Sequence, residues 1–232
     1  MTTDYQKNIE EAYALKLSEL LKESWDVKNA PNEINWPDLI INFNGNEFGL
    51  EVREIYTDET RKGSIKKAKE SSHIKLVKKI CSAYYDVSNI PISVKFLGDI
   101  DQISEIIKFI TDWVESLKEF EQIRIEPYFG SVVYVTRLPI SCGEYNRWVY
   151  VSDKVGWVSE LNQQLIQSKI VEKSAKLTKY SKNISDVRLL LVCNSLFNSG
   201  RHKIPDVNNI QAHGFKAVYV LSYPDSMCVI DS

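Results

Sequence analysis

The chain has 232 residues, 44% hydrophobic and 26% charged, the size and balance of one globular domain that builds its core without disulfides or a structural metal. Its formal net charge of −2 excludes a generally basic, nucleic-acid-coating protein. With nine glycines, no G-x-x-x-x-G-K-[ST] and no G-x-G-x-x-G, nothing in it supplies a glycine loop for nucleotide phosphates.

Ile9, Ala12, Tyr13, Leu17, Leu20 and Leu21 recur at steps of three and four and predict an amphipathic helix over 4–25, ending near Asn29-Ala30-Pro31. Residues 36–55 read as two β-rich runs around Asn44-Gly45, the strongest short-range hairpin signal. A helix over 64–86 follows, with Ser64 as its N-cap, then a strand at 92–98 opened by Pro91 and a helix over 101–120. Residues 130–137 and 146–151 read as another strand pair. A long helix is predicted over 158–180, a buried strand at 187–193, and a last strand pair, 216–223 and 227–232, around Pro224-Asp225. Helices and strands intermix, so the expected class is α/β or α+β with a mixed sheet. No repeat, low-complexity tract or linker divides the chain, and a single domain, 1–232, is expected.

Cys81, Cys142, Cys193 and Cys228 are widely spread with no C-x-x-C, which reads as reduced thiols. Residues 1–11 are polar and later apolar runs are strand-sized, so a soluble, cytoplasmic protein without membrane association is expected.

The hairpin permits a geometric argument. With Asn44-Gly45 as a two-residue loop, Phe43 faces Asn46 and Asp38 falls opposite Glu51; moving the loop one residue on leaves Asp38 opposite Arg53. Alternation puts Phe48, Leu50 and Val52 on one face of the second strand and Gly49, Glu51 and Arg53 on the other. Directly opposed carboxylates have Cβ atoms about 5 Å apart, where two negative charges repel unless a proton or a cation relieves them. Mg²⁺ suits such a pair, since it takes one or two carboxylates with waters and phosphate oxygens. The competing reading is an ordinary surface ion pair in which Arg53 neutralises one acid.

Pro37-Asp38, twelve intervening residues and then Glu51-Val52-Arg53 resembles the signature of the PD-(D/E)XK nuclease superfamily. The resemblance covers residues 5–98; the order helix, acid-bearing hairpin, helix, strand is similar to that superfamily's αβββαβ core, with residues 99–232 as elaboration. It implies a restriction-endonuclease-like mixed central sheet flanked by helices. It also implies Mg²⁺ or Mn²⁺ held by Asp38, Glu51 and the Val52 carbonyl, with Glu10 or Glu11 as a further acid from the first helix and Glu10 favoured. In that chemistry a metal-activated water attacks a phosphodiester in line, helped by a lysine two residues past the glutamate. Here that position holds Arg53, which stabilises phosphate charge but cannot act as a base. Three explanations stand open: Arg53 substitutes, a lysine from another element (Lys66, Lys67, Lys69 or Lys173) reaches the site, or the fold serves recognition alone.

From Arg61 to Lys79, eight Lys or Arg stand against Glu70 alone, whereas 99–126 holds eight acids and three bases. Lys62, Lys66, Lys69 and His73 share one helical face opposite Ile65, Ala68, Leu76 and Ile80, and Lys169, Lys173, Lys176, Lys179 and Lys182 recur every three or four residues. Two basic rails, with Lys67 beside the first, would flank a phosphodiester groove; the plain alternative is two solvated amphipathic helices. Three histidines without paired spacing argue against zinc, and no G-x-S-x-G points to a serine nucleophile. The loop 194–205, with Arg201, His202 and Lys203, is either functional or a plain surface connection, and the tryptophans read as packing. The expected function is therefore a metal-dependent nuclease acting on DNA before RNA, as a homodimer if both strands of a duplex are cut. The rivals are a catalytically silent nucleic-acid-binding or regulatory module on the same fold and a protein-interaction domain using the acidic segment.

Overall fold

The computed structural model describes residues 4–31, 33, 35–56, 58–59, 63–151 and 159–231. In chain order, its elements begin with α1 (Asp4–Leu21), β1 (Asp26–Asn29), β2 (Leu39–Phe43), β3 (Asn46–Glu54) and α2 (Ile65–Tyr85). Then follow β4 (Ile92–Gly98), α3 (Ile103–Val114), β5 (Gln122–Ile125), β6 (Ser131–Arg137), β7 (Val149–Tyr150) and β8 (Ser159–Glu160). The chain finishes with α4 (Gln163–Ser174), α5 (Leu177–Tyr180), β9 (Val187–Asn194), β10 (His202–Lys203), β11 (Ala217–Tyr223) and β12 (Ser226–Asp231). This is a mixed α/β fold. Tertiary contacts gather it into two compact units, one of Met1–Ser64 with Trp157–Ser232 and the other of Ile65–Gly156.

The first unit is built on a six-stranded mixed sheet in the order β1-β2-β3-β9-β11-β12. The hairpin forms at the expected register, Phe43 opposite Asn46 and Leu39 opposite Leu50. Asn44 and Gly45 both have positive φ, 52° and 78°, the backbone of a two-residue turn whose twist matches its strands. β3 then pairs in parallel with β9, and β9 with β11. β9 is central, which is why VRLLLVC is an unbroken apolar run. Leu189 and Leu191 pack on one face with Ile166, Ile170 and Tyr180 of α4 and α5. Leu190 and Val192 pack on the other with Tyr13, Ala14 and Leu17 of α1. The sheet is thus covered on both faces.

The second unit is a four-stranded sheet, β5-β6-β4-β7, with α2 and α3 sharing its core through Val77, Ile80, Tyr84, Ile106 and Ile110. Three expectations change here. The strand Ile92–Gly98, expected to share a core with the hairpin, belongs to this second sheet, and the neighbour of β3 is β9. Residues 131–137 and 149–150 do not pair with each other; both flank β4, one antiparallel and one parallel. The apolar stripe of α2 begins only near Val77, since Ile65 is 78% exposed and Ala68 is also exposed. β1 and β5, four-residue strands that are largely polar, carried no readable signal. The expected start of the late helix at residue 158 lies outside the described residues, and that helix is α4 and α5 separated by Ala175-Lys176. All four cysteines are free thiols. Among the described residues, no helix is long and apolar enough to cross a membrane.

Candidate functional site

The charged residues of the hairpin lie on the face of the six-stranded sheet covered by α4 and α5. Phe48, Leu50 and Val52 of β3 pack towards α1, so alternation turns Gly49, Glu51 and Arg53 the other way. Glu51 is 1% exposed in the middle of that face. Both its oxygens are engaged: Oε1 accepts from Lys173 Nζ at 2.6 Å and Lys176 Nζ at 2.9 Å, and Oε2 accepts from the Tyr180 hydroxyl at 2.7 Å. Burial alone would push the Glu51 carboxyl up, but the Lys173 ammonium, backed by hydrogen bonds from Lys176 and Tyr180, holds it below its ordinary value. Burial works against the charge of Lys176, and the Glu51 carboxylate outweighs it, raising the ammonium's pKa. Tyr180 is pushed well above the phenol range by burial and then by the same carboxylate.

Asp38 sits one residue before β2, on the step that continues the register to Glu51. A local device fixes it there. Gly49 has no side chain because Pro37 occupies the space, and a Cβ at that position would meet Pro37 Cγ at 2.5 Å and Ile184 Cγ2 at 3.2 Å. With Pro37 seated on β3, the Asp38 carboxylate turns back and its Oδ2 accepts from the Val52 N–H at 2.8 Å. Burial, then the Glu51 charge, raises the Asp38 carboxyl from 3.8 to about 6. Of the two candidate acids on α1, Glu10 is the one that feels the cluster. Burial first, then the charges of Asp38 and Glu51, raises it from 4.5 to about 7. Glu11 has no hydrogen bond or ion pair to the site among the described residues.

Arg53 makes no ion pair with Glu51, whose partners are Lys173, Lys176 and Tyr180. Its guanidinium bonds Glu59, which also accepts from Lys169 Nζ at 2.8 Å. The position expected to hold the catalytic lysine is thus spent on a second ion cluster, and the ammonium beside Glu51 comes from Lys173, on α4. Lys173 and Lys169 are 12% and 13% exposed, so they line the covered face of the sheet and form no open rail. Lys176 is half-exposed, at 47%, and Lys179 and Lys182 are exposed. Lys66, Lys67 and Lys69 belong to the second unit, on α2; Lys62 lies outside the described residues.

Gly49 as a close-packing position, Glu59, and the inward roles of Lys169 and Tyr180 were not picked out in the sequence. Tyr180 had a usable signal, because residues 173, 176 and 180 fall on one helical face. Glu59 had none, sitting in an irregular stretch after β3.

The donor set suits a hard cation. Asp38 and Glu10 are hard oxygen donors with pKa values raised by burial and then by repulsion, and only the Asp38 Oδ2 bond from Val52 engages either side chain among the described residues. Glu51 could join only by releasing an ammonium. As arranged, no group of three or more His, Cys, Asp or Glu among the described residues is gathered closely enough to hold a metal ion. Compared with family models, curated proteins and solved structures, the chain matches none.

Proposed function

We propose that the first unit is a metal-dependent phosphodiesterase acting on nucleic acid, DNA before RNA, with Asp38, Glu51 and Glu10 as its acids and Lys173 as its ammonium. The observation that carries this reading is the juxtaposition of Asp38 and buried Glu51, both from the hairpin, with Lys173 of α4, while Glu10 of α1 feels the charge of both acids. Two of those acids have raised pKa values, and Lys173 Nζ lies 2.6 Å from Glu51. Charge of one sign is costly to concentrate beside a covered sheet face, and ordinary packing gives no reason for Asp38 next to the buried Glu51. The spacing Pro37-Asp38 to Glu51-Val52 adds support through its resemblance to PD-(D/E)XK nucleases, whose strand lysine Lys173 would replace from the helix.

Bound Mg²⁺ or Mn²⁺ would supply a water of lowered pKa and a Lewis acid for the phosphoryl oxygens. Asp38 and Glu10 would hold it, with Glu51 and the Val52 carbonyl completing the set. Asp38 is oriented for this by the Val52 N–H. Lys173, freed from Glu51, would stabilise charge on the phosphate, and Tyr180 would retain Glu51 in place through Oε2. The test is cleavage of single-stranded and duplex DNA and of RNA with Mg²⁺ or Mn²⁺ by the wild type, Asp38→Ala, Glu51→Ala and Lys173→Ala. Cleavage by the wild type alone supports the reading; equal activity in all four discards the site.

A second reading has its own support. Both oxygens of Glu51 are already saturated by Lys173, Lys176 and Tyr180, as in a site that has given up its cation for internal partners. The chain would then be a silent nucleic-acid-binding or regulatory module. Calorimetric titration with Mn²⁺ separates the two: heat lost in Asp38→Asn favours the enzyme, and no heat in the wild type favours the module.

A further inference from the structure

One step along β3 from Glu51 and one turn back along α4 from Lys173 lies a second charged cluster of a different make. Glu59 is buried, its side chain 6% exposed, and a single oxygen, Oε1, accepts from both the Arg53 Nη2 group and Lys169 Nζ. Among the described residues its other oxygen, Oε2, has no hydrogen-bond partner, nor does the Arg53 Nε–H, although both atoms are cut off from solvent. Leaving a carboxylate oxygen and a guanidinium N–H unpartnered is a substantial penalty. A cluster built only for stability would turn the carboxylate so that both guanidinium donors met both oxygens, the paired geometry Arg and carboxylate commonly adopt. Here the fork is half used, and two cations crowd one oxygen.

The shape of the unused part identifies what fits it. Nε–H and Nη2–H are parallel donors that match two oxygens of one phosphoryl group. A tetrahedral phosphate engaging both would still present oxygen towards Lys169. We propose that Arg53 and Lys169 form a clamp for phosphoryl oxygens, and that Glu59 is its internal occupant, displaced when a phosphate enters. The exchange swaps one anion for another, so the two cations are never left bare inside the protein, which would be costly. The inference rests on the phosphodiester reading of the neighbouring site. Arg53 and Glu51 share a face of β3 two residues apart, about 7 Å, so the clamp would hold a backbone phosphate adjacent to the one attacked.

The experiment is equilibrium binding in EDTA, so that its outcome does not depend on metal or on cleavage. A short fluorescein-labelled single-stranded DNA is titrated with the wild type, Glu59→Gln, Arg53→Gln and Lys169→Gln, each checked for folding by thermal melting. Removing the competing charge in Glu59→Gln is expected to tighten binding about tenfold, and Arg53→Gln and Lys169→Gln to weaken it by a similar factor. Unchanged or weaker binding by folded Glu59→Gln overturns the clamp. The wild type provides a measurement free of any folding defect. The Arg53 Nε–H resonance, assigned by its loss in Arg53→Gln, should shift downfield when inorganic phosphate or the oligonucleotide is added. A stationary resonance under both overturns the proposal. A shift with inorganic phosphate alone supports a phosphoryl clamp and makes its ligand a small phosphate. Tighter DNA binding by Glu59→Gln with no metal-dependent cleavage by the wild type would support the clamp while removing the enzymatic reading.

Discussion

The two sheets of this protein treat polarity in opposite ways. In the second unit the core is apolar, from Phe96, Val94 and Val133 through Ile106 and Ile110. Its buried aromatic rings put their polar ends to local use, with Trp148 Nε1 donating to the Ile92 carbonyl at 3.0 Å and Tyr84 to the Ile90 carbonyl at 2.9 Å. In the first unit the corresponding layer between sheet and helices contains Glu51, Glu59, Lys169 and Lys173. Folding alone needs only the first arrangement. Replacing buried ion pairs by apolar residues of similar volume is often neutral or stabilising, so charges retained, among the described residues, in the covered layer of one unit and not of the other mark where chemistry is expected.

The sharpest way to break that comparison is to separate activity from stability. Asp38→Ala and Glu51→Ala are expected to lower metal-dependent cleavage by about a thousandfold or more, measured as initial rates on the preferred nucleic acid. Phe96→Ala, in the fully apolar core, is expected to destabilise its unit by about 3–5 kcal/mol, read by denaturant unfolding, while leaving the affinity of the first unit for Mn²⁺ unchanged. If cleavage survives loss of both acids, the contrast between the sheets is structural only.

Glu51 carries a stability effect of its own. Glu51→Ala leaves the mostly buried Lys173 without its counter-charge and should cost about 2–3 kcal/mol, at the lower end for a broken buried pair because Lys176 is half solvated. Combining Glu51→Leu with Lys173→Met should recover most of that loss without recovering activity. Denaturant midpoints of the single and double variants measure it. A double variant as unstable as Glu51→Ala would mean that the ion cluster itself holds the helix to the sheet.

The pH dependence follows from the two raised carboxyls. Asp38, near 6, and Glu10, near 7, bind a proton more tightly in the folded chain than in the unfolded one, so protonation favours folding. Their contribution to stability therefore grows as pH falls from about 8 through 7 and 6 towards their unfolded values, and is lost as pH rises again. Glu51, depressed below 4.5, works the other way, but only in the more acidic range below that value. Glu10 is screened by solvent on its exposed side, so the pair should together add about 1–2 kcal/mol between pH 8 and pH 5. Thermal melting across that range is expected to show the rise, and Asp38→Asn and Glu10→Gln each to flatten it. Mn²⁺ competes with the same protons, so its affinity should fall over the same interval.

Much of this site was legible because a hairpin is short-range geometry. Asn44-Gly45 fixed the register, and the register put Asp38 beside Glu51 and turned Glu51 and Arg53 away from Phe48, Leu50 and Val52. What that pattern does not encode is which distant element covers the charged face. Lys173 and Lys66 look alike in sequence, both on basic helices. They are told apart by β9, whose pairing with β3 brings α4 and α5 over Glu51, and by the departure of α2 into another core. No composition change announces that excursion at residue 65 or its return. Gly49 was likewise readable only as an alternating position, since its meaning depends on Pro37 lying over it.

That distinction between look-alike lysines supports the smallest effect, which is also the one that best separates the two units in solution. Each cation neutralising a backbone phosphate contributes about 0.7 to the slope of log affinity against log salt for single strands. Lys69 is exposed on α2, so if the α2 rail touches nucleic acid, Lys69→Ala should reduce the slope by about that amount with little change in cleavage rate at saturation. Lys173 is paired with a buried carboxylate while no metal is bound, so in EDTA Lys173→Ala should leave the slope nearly intact, while metal-dependent cleavage is lost. Lys176, half-exposed and sharing Glu51 with Lys173, should fall between them. A slope unaffected by Lys69 would confine phosphate contact to the first unit and make the basic face of α2 an ordinary solvated surface.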